Sequence, residues 1–505
     1  MNGPHQPEQM PHRNRGRWQT ATLVAIGFII LLSTSATLFT SYSYWGDEMF
    51  SVVESLAPIK EFIHSWILWD VHPPLYQVLL RGWIVIFGDG ELATRFLSFL
   101  FVILALVSMA LLTASRPFFF RLVAVSFLAA SPASAFYAQE TRSYGMMLGL
   151  STLVTLLAMD LREKAGTASI KERWGFGVLA LLLSLTHYFG LVWVAFLTIL
   201  QLVRPSHPLE RRQGMILASL LFVWPIVHLL FGELTSKTGG NFWITMTIPI
   251  IATVNHAISG LLPGLEISRQ PLLFLRWGVV TLLLLVLSWP LTSWKNIGTQ
   301  ISRSAQLSLR HTRLMALMIV IFVAIIALID LNTPISTARN FIVLLPALAL
   351  ILAGFSQALY ERLRGWRRLL LFAILTIGLV VQLKSAAVAV AAKSYPRSNW
   401  KDLAAAIRNS NICDEGCYSD FADSYFNYYF RGLNLKPLPK DGGRTNSPLL
   451  LMADKPMDKA VRLMASEHLC FQSHQASSGP VVLLPKKMLE TRSLEGLGLL
   501  PCPAS

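Results

Sequence analysis

The chain has 505 residues, of which 53% are hydrophobic and 14% charged, with a formal net charge of +15. That apolar share arrives in long runs, which excludes an ordinary soluble core and marks a polytopic membrane protein embedded in a lipid bilayer. The positive charge does not indicate nucleic-acid binding: the basic residues cluster in short loops between apolar spans, and no RNA- or DNA-binding motif is present.

In chain order, residues 1–18 read as a cytoplasmic tail carrying Arg13, Arg15 and Arg17. A first span follows at roughly Thr20–Thr40. It is too long for the apolar part of a signal peptide and has no obvious small-residue cleavage site, so an uncleaved transmembrane helix is expected. Residues 42–91 form the first outer loop. Inside it, the apolar run Leu75–Phe87 has 13 residues and carries Arg81. A bilayer needs about 20 residues, so this run is expected as an interfacial helix anchored by Trp83.

Charge placement agrees. If Leu75–Phe87 does not cross, the later inside loops receive Arg116 and Arg121, then Arg162, Lys164, Lys171 and Arg173, then Arg204, Arg211 and Arg212, and later Arg362, Arg364, Arg367 and Arg368. The outside loops collect Asp47, Glu48, Asp70, Asp89, Glu91, Glu140 and Asp330. Making the run a span would invert every later loop. The transmembrane region is assigned to residues 19–388, with about 11 spans, the last near Leu369–Lys384.

Residues 389–505 read as a small periplasmic α/β domain, with an opening helix in SNWKDLAAAIRNS capped by Ser398 or Asn399 and a buried strand in SGPVVLLP. All four cysteines, Cys413, Cys417, Cys470 and Cys502, lie there. An even number confined to one exported region points to two disulfides, with three pairings open. A zinc site is the less favoured reading, because C-x3-C with two distant cysteines is a poor zinc spacing.

Five polar stretches are expected at the outer surface. Asp47-Glu48 lies just beyond the first span among Tyr42, Tyr44, Trp45 and Phe50, where a partly desolvated carboxylate can act as a general base. DVHPPLY, from Asp70 to Tyr76, uses two prolines to pin His72, a hydrogen-bond donor to a phosphate oxygen or a proton carrier. YAQETRSYG places Tyr137, Glu140 and Arg142 at the mouth of a helical bundle, and THYFG places His187 where a span emerges. Arg339, in NTPISTARNF, suits a planar clamp on a lipid phosphate. The plain alternatives are a solvated acid loop, a structural histidine at a Pro-Pro turn, a local Glu140–Arg142 pair and a snorkelling arginine. Acids, cations and a greasy flank together suit sugar transfer from a lipid-linked phosphate to an acceptor outside the membrane.

GDEMFS, DVHPPLYQVLL, FGDGELATRFLS, FYAQETRSYG, THYFG and TPISTARNFIVLLPAL occur in this order over residues 20–360. Together they resemble the GT-C membrane glycosyltransferases of the protein O-mannosyltransferase and aminoarabinose transferase superfamily. The resemblance implies a mainly α polytopic GT-C fold in the cell inner membrane, with a polyprenyl-phosphate-linked sugar as donor and inversion at the anomeric carbon. It implies that Asp47 is the base, with Glu48 positioning Asp47 or the acceptor. It also implies that Asp70, His72, Tyr137, Glu140, Arg142, His187 and Arg339 contact the donor or its phosphate. The mannosyltransferases carry D-x-H-P-P, matched at Asp70–Pro74, where the aminoarabinose transferases place a lysine at the position of His72. Where the family usually reads Arg-Tyr, this chain reads Arg339-Asn340. The acceptor class stays open between glycolipid (lipid A or lipopolysaccharide), polysaccharide and protein. No cofactor is expected; Asp47, Glu48 and Asp70 could hold a divalent cation, but an obligatory metal is not favoured. The rival readings are a transporter or flippase and a polysaccharide ligase. A transporter would be expected to show mid-membrane charges and internal repeats, and neither is evident.

Overall fold

The computed structural model describes residues 12–35, 42–64, 70, 72–164, 167–202, 208–231, 249–261, 303–394, 400–438, 447–452, 468–472, 480–485 and 500–501. Two compact units divide the chain. One comprises Met1–Ala36, Ile63–Val78 and Phe96–Val390, the other Thr37–Phe62, Leu79–Arg95 and Ala391–Ser505. The second unit thus groups most of the first outer loop with the C-terminal tail, whereas the sequence reading attaches that loop to the helical region.

The first unit is helical. Among the described residues, seven helices of the chain are long and apolar enough to cross a membrane: Gly16–Thr34, Glu91–Leu112, Tyr144–Lys164, Arg212–Leu230, His311–Asp330, Ala338–Arg362 and Trp366–Ala391. Part of the larger expected set falls on residues 232–248 and 262–302, outside the described residues. Tyr144–Lys164 and Ala338–Arg362 are interior, with 78% and 83% of their apolar windows buried; Arg212–Leu230 and Trp366–Ala391 bury only 11% and present their apolar side chains outward. Small residues allow the interior packing. A Cβ on Gly149 would lie 2.6 Å from the Phe101 carbonyl oxygen, and one on Gly145 2.9 Å from that of Ser98. The two backbones touch along this G-x-x-x-G face. Gly149→Val is expected to cost about 1–3 kcal/mol by overpacking, read as a lowered unfolding midpoint in detergent; an unchanged midpoint would contradict the close approach.

The apolar run over residues 118–137 is broken. Helix Phe118–Ala130 stops at Ser131, whose backbone is extended, and a second helix, Pro132–Tyr137, begins with proline at its first position. Proline has no N–H to give the preceding turn and forces the residue before it out of the helical region. The short helix delivers the chain into the turn that carries Glu140 and Arg142.

In the second unit the helix Gly46–Leu56 carries the acid pair. The run Leu75–Phe87 is one 13-residue helix, short of a crossing. Arg81, anomalous in an apolar run, donates to the carbonyls of Ser55 (3.0 Å) and Ala57 (2.6 Å), satisfying the C-terminal end of Gly46–Leu56, and lies 4.7 Å over the Phe62 ring. Trp83 gives its indole N–H to the Ala93 carbonyl (2.7 Å) and packs on Phe87, so its polar end is bound within the protein.

The tail opens with helix Trp400–Ser410, as its sequence suggests; Ser398 and Asn399 lie outside the described residues. A six-stranded sheet follows, from β1 (Cys417–Ser419), β2 (Leu435–Pro437), β3 (Leu449–Met452), β4 (His468–Gln472), β5 (Pro480–Pro485) and β6 (Leu500–Pro501), in the order β2-β1-β3-β5-β4-β6. β1 runs parallel to β2 and β3, and the remaining pairs are antiparallel. β5 is the strand expected from SGPVVLLP, with Val482, Leu483 and Leu484 buried. Trp400 is buried among Phe421, Phe426 and Phe430. A disulfide joins Cys413 and Cys417. Cys502 and the Cys470 side chain lie outside the described residues.

Candidate active site

The helical unit gathers most of the residues singled out in the sequence. Asp70 is buried, and one of its oxygens accepts both the His72 backbone N–H and the His72 Nδ1, each at 2.9 Å. The Pro73-Pro74 pair stops a helix from starting earlier, and the Leu75 N–H donates to the Leu185 carbonyl (3.0 Å), tying DVHPPLY to the turn that carries His187. The His72 and His187 rings meet edge-on at 5.3 Å. Tyr144 lies 5.9 Å from His187 and 5.0 Å from Tyr137, and the Arg339 guanidinium lies over Tyr144 at 5.6 Å. Gln139, Glu140, Thr141, Arg142 and Ser143 are all buried, a run of polar side chains that is costly without a function.

Electrostatics couples these groups. Burial alone would raise the Asp70 carboxyl, but His72, by charge and hydrogen bonds, and Arg142 outweigh it and hold the carboxyl below its ordinary value. Burial, then the charges of His72, Arg142 and Arg339, hold His187 well below its ordinary value against the opposing pull of Asp70. His187 Nδ1 accepts the Phe189 N–H (3.2 Å), which leaves the proton on Nε2, and Nε2 has no protein partner among the described residues. Neutral His187 therefore offers one N–H to a ligand oxygen. An unfolded histidine takes up a proton below about pH 6.5, which native His187 resists. Its contribution to stability is present above that pH and is lost as pH falls. His187→Gln should accordingly flatten the fall in unfolding midpoint between about pH 7 and pH 5; a slope equal to that of the wild type would contradict this.

The loop bearing Arg339 is held from below by Asp330, at the end of helix Arg303–Asp330. Asp330 accepts the N–H groups of Ile335 (2.8 Å) and Ser336 (3.1 Å) and the Thr253 hydroxyl (2.5 Å). Arg339 then sits in the 3-10 turn Ala338–Leu344, with Asn340 bound to the Ile335 carbonyl (3.1 Å). Asn340 thus anchors the loop, and the aromatic face beside Arg339 comes from Tyr144. Helix Pro249–Leu261 packs against this turn, where a Cβ on Gly260 would overlap the Ala338 carbonyl oxygen. Gly260→Ala is expected to displace the Arg339 turn and to cost about 1–3 kcal/mol by overpacking, read as a lowered unfolding midpoint in detergent; an unchanged midpoint would show that the turn tolerates the shift.

The second unit holds the acid pair. Asp47 is half-buried in the first turn of helix Gly46–Leu56, and its carbonyl accepts the Ser51 hydroxyl (3.1 Å). Glu48 is bound to a cation. Its two oxygens take Arg95 Nε (2.9 Å) and Nη2 (2.8 Å), with 0% and 2% of the Arg95 and Glu48 side chains exposed. Arg95 also donates to the carbonyls of Tyr42 (3.0 Å) and Ser43 (3.2 Å) and lies 4.0 Å over the Tyr42 ring. Glu48 is therefore bound to a structural cation that fixes the approach to the helix. The tail supports the same stretch: the buried Tyr44 N–H donates to the Tyr429 hydroxyl (2.7 Å), which donates to Glu91 (3.0 Å). Burial, then Glu91, push the Tyr429 phenol up, so it remains a protonated donor. Sequence reasoning passed over Arg95, Tyr144 and Asp330. Arg95 and Tyr144 stand inside motifs that drew attention for other residues, whereas Asp330 read only as an outside acid.

The structure is similar to the crystal structure of ArnT from Cupriavidus metallidurans in the apo state, with a TM-score of 0.55 and 16% identity over 93% of this chain and 98% of that one. The chain has a GT-C fold. ArnT from Cupriavidus metallidurans bound to undecaprenyl phosphate is also similar, with a TM-score of 0.50 and 14% identity over 92% of this chain and 98% of that one. No protein-family model matches the chain, and no curated protein matches it in sequence. The GT-C likeness covers nearly the whole of both chains, tail included, and agrees with the fold expected from the ordered motifs.

Proposed function

We propose that this protein is an inverting membrane glycosyltransferase that moves a sugar from a polyprenyl-phosphate donor to a cell-envelope acceptor. The observation that carries the reading is the gathering of buried Asp70, Arg142 and His187 with half-buried His72 and Arg339 within a GT-C fold, one solved example of which binds undecaprenyl phosphate. Two permanent cations, the His72 ring and a neutral N–H donor suit a phosphate that gains charge as a sugar departs. Asp47 takes the proton of the acceptor hydroxyl as that oxygen forms a bond to the sugar C1. The bond from C1 to the phosphate oxygen breaks on the opposite face, and the polyprenyl phosphate leaves with the electron pair. Arg142, Arg339, His72 and the His187 Nε2–H face the departing charge, while Asp70 holds the His72 ring in one orientation. Glu48, with both oxygens on Arg95, contributes by holding the helix that carries Asp47 rather than by ligating a metal.

In this reading the protein lies in the inner membrane, with its N-terminus in the cytoplasm and Asp47, the phosphate cluster and the tail in the periplasm. The cysteines of the tail fit that oxidising side. The test is direct binding of the donor's leaving group. Native mass spectrometry should show one undecaprenyl phosphate retained by the wild type, and Arg339→Ala should retain about tenfold less or weaker still. Equal retention by a variant lacking both Arg142 and Arg339 would remove the phosphate assignment.

A further inference from the structure

Three helices, Ile170–Ser184, Tyr188–Leu202 and Pro208–Leu221, line a cavity in the helical unit, and the helix ends that border it carry Arg162, Lys164, Lys171, Arg173 and Arg212. Its volume is about 130 Å³, and its walls include Arg173, Trp174, Leu181, Thr198, Gln213 and Leu217. Glycine makes the room: a Cβ on Gly177, which lines the cavity, would stand 3.8 Å from Leu217 Cδ1.

Two polar atoms in this apolar space lack protein partners among the described residues. Thr198 is 2% exposed, and its hydroxyl is buried and unpartnered; the Gln213 Oε1 is likewise buried and unpartnered. A helical threonine ordinarily returns its hydroxyl to the carbonyl four residues back, as Thr152 does to Leu148 at 2.8 Å. Thr198 does not. Each orphaned group costs about 1–3 kcal/mol unless something fills its valence. The outer rim is apolar and exposed at Trp174, Val178, Ile216 and Leu220, and it is flanked by the exposed cations Lys171 and Arg212 and by half-buried Arg173.

We propose that this cavity binds an anionic phospholipid with a hydroxyl-bearing headgroup, of the phosphatidylglycerol type. Basic pockets between membrane helices attract anionic headgroups, and Arg173 supplies the phosphate contact from the cavity wall. The Thr198 hydroxyl donates to an ester oxygen, and the Gln213 Oε1, an acceptor only, takes a headgroup hydroxyl. A cavity of this size resembles the ~150 Å³ void that takes one benzene, so it holds a short stretch of one acyl chain, the remainder lying along the exposed rim. The site is separate from the phosphate cluster and does not depend on sugar transfer.

The test uses delipidated full-length protein in detergent, titrated with dioleoyl-phosphatidylglycerol, with dioleoyl-phosphatidylcholine and with glycerol phosphate alone, and read by native mass spectrometry and unfolding midpoint. Phosphatidylglycerol should be retained and should raise the midpoint; phosphatidylcholine and glycerol phosphate should do neither. Arg173→Gln with Thr198→Val, and separately the cavity-filling Gly177→Leu, should each lower phosphatidylglycerol retention about tenfold while leaving undecaprenyl phosphate retention unchanged. Equal retention of the two phospholipids by the wild type overturns the proposal, as does undiminished phosphatidylglycerol retention in either variant. Retention of glycerol phosphate alone would replace the lipid with a free phosphate and overturn it too.

Discussion

Asp47→Asn should lower sugar transfer by at least about 10²-fold, the usual contribution of a positioned general base, while leaving the unfolding midpoint and undecaprenyl phosphate binding near those of the wild type. The asparagine keeps the size of the side chain and the helix that bears it. It removes only the capacity to accept the acceptor's proton. Asp47 can be tested this cleanly because its neighbour is occupied: Glu48 is the acid bound to buried Arg95, so the two carboxylates have separable roles. Transfer by Asp47→Asn within a few-fold of the wild type would move the base elsewhere.

The second large effect belongs to that neighbour. Glu48→Gln leaves the Arg95 guanidinium buried without its counter-charge, and Arg95→Met leaves the Glu48 carboxylate in the same position. Each single change should cost about 3–5 kcal/mol of stability, whereas the double variant, which removes both charges, should recover most of that loss. Unfolding midpoints in detergent for the four proteins close the cycle. Single variants within about 1 kcal/mol of the wild type, the value of an exposed pair, would show that the pair does not organise the loop. The two experiments separate roles that the sequence presents as one motif: Asp47→Asn loses transfer and keeps stability, while Glu48→Gln loses stability first.

What the sequence made legible follows from which interactions are local. The long spans show as unbroken apolar runs, and Leu75–Phe87 is distinguished from them by its 13 residues and by the charges of the loops that follow. The opening helix and buried strand of the tail also rest on local pattern. The break at Ser131-Pro132 rests on a proline inside an apolar run, a local signal that sequence reasoning passed over. Several features could not be read at all. Tyr429 holds the backbone of Tyr44 across 385 residues of sequence, and no spacing rule connects them. Gly260 is required only because the Ala338 carbonyl passes over it, a fact of packing. Within the site, the residue types were recognisable but their partners were not. His72 could be seen as pinned by two prolines, yet its bond to Asp70 and its edge contact with His187 come from folding.

The arginine of NTPISTARNF illustrates the same limit. Arg339 stands out as a cation at a span end, and the asparagine after it reads as the loss of an aromatic. In the folded chain the aromatic comes from Tyr144, while Asn340 ties the loop to Ile335. The substituted position does structural work, and a residue far away in sequence supplies the ring.

The most direct test of the proposed activity is the envelope chemistry of cells that lack this protein. Glycolipids, polysaccharides and glycoproteins from deleted and complemented cells should be compared by mass spectrometry. The account predicts the loss of a single sugar mass from one fraction on deletion, restored by the wild-type chain and not by Asp47→Asn. An unchanged envelope inventory, or full restoration by Asp47→Asn, would contradict it.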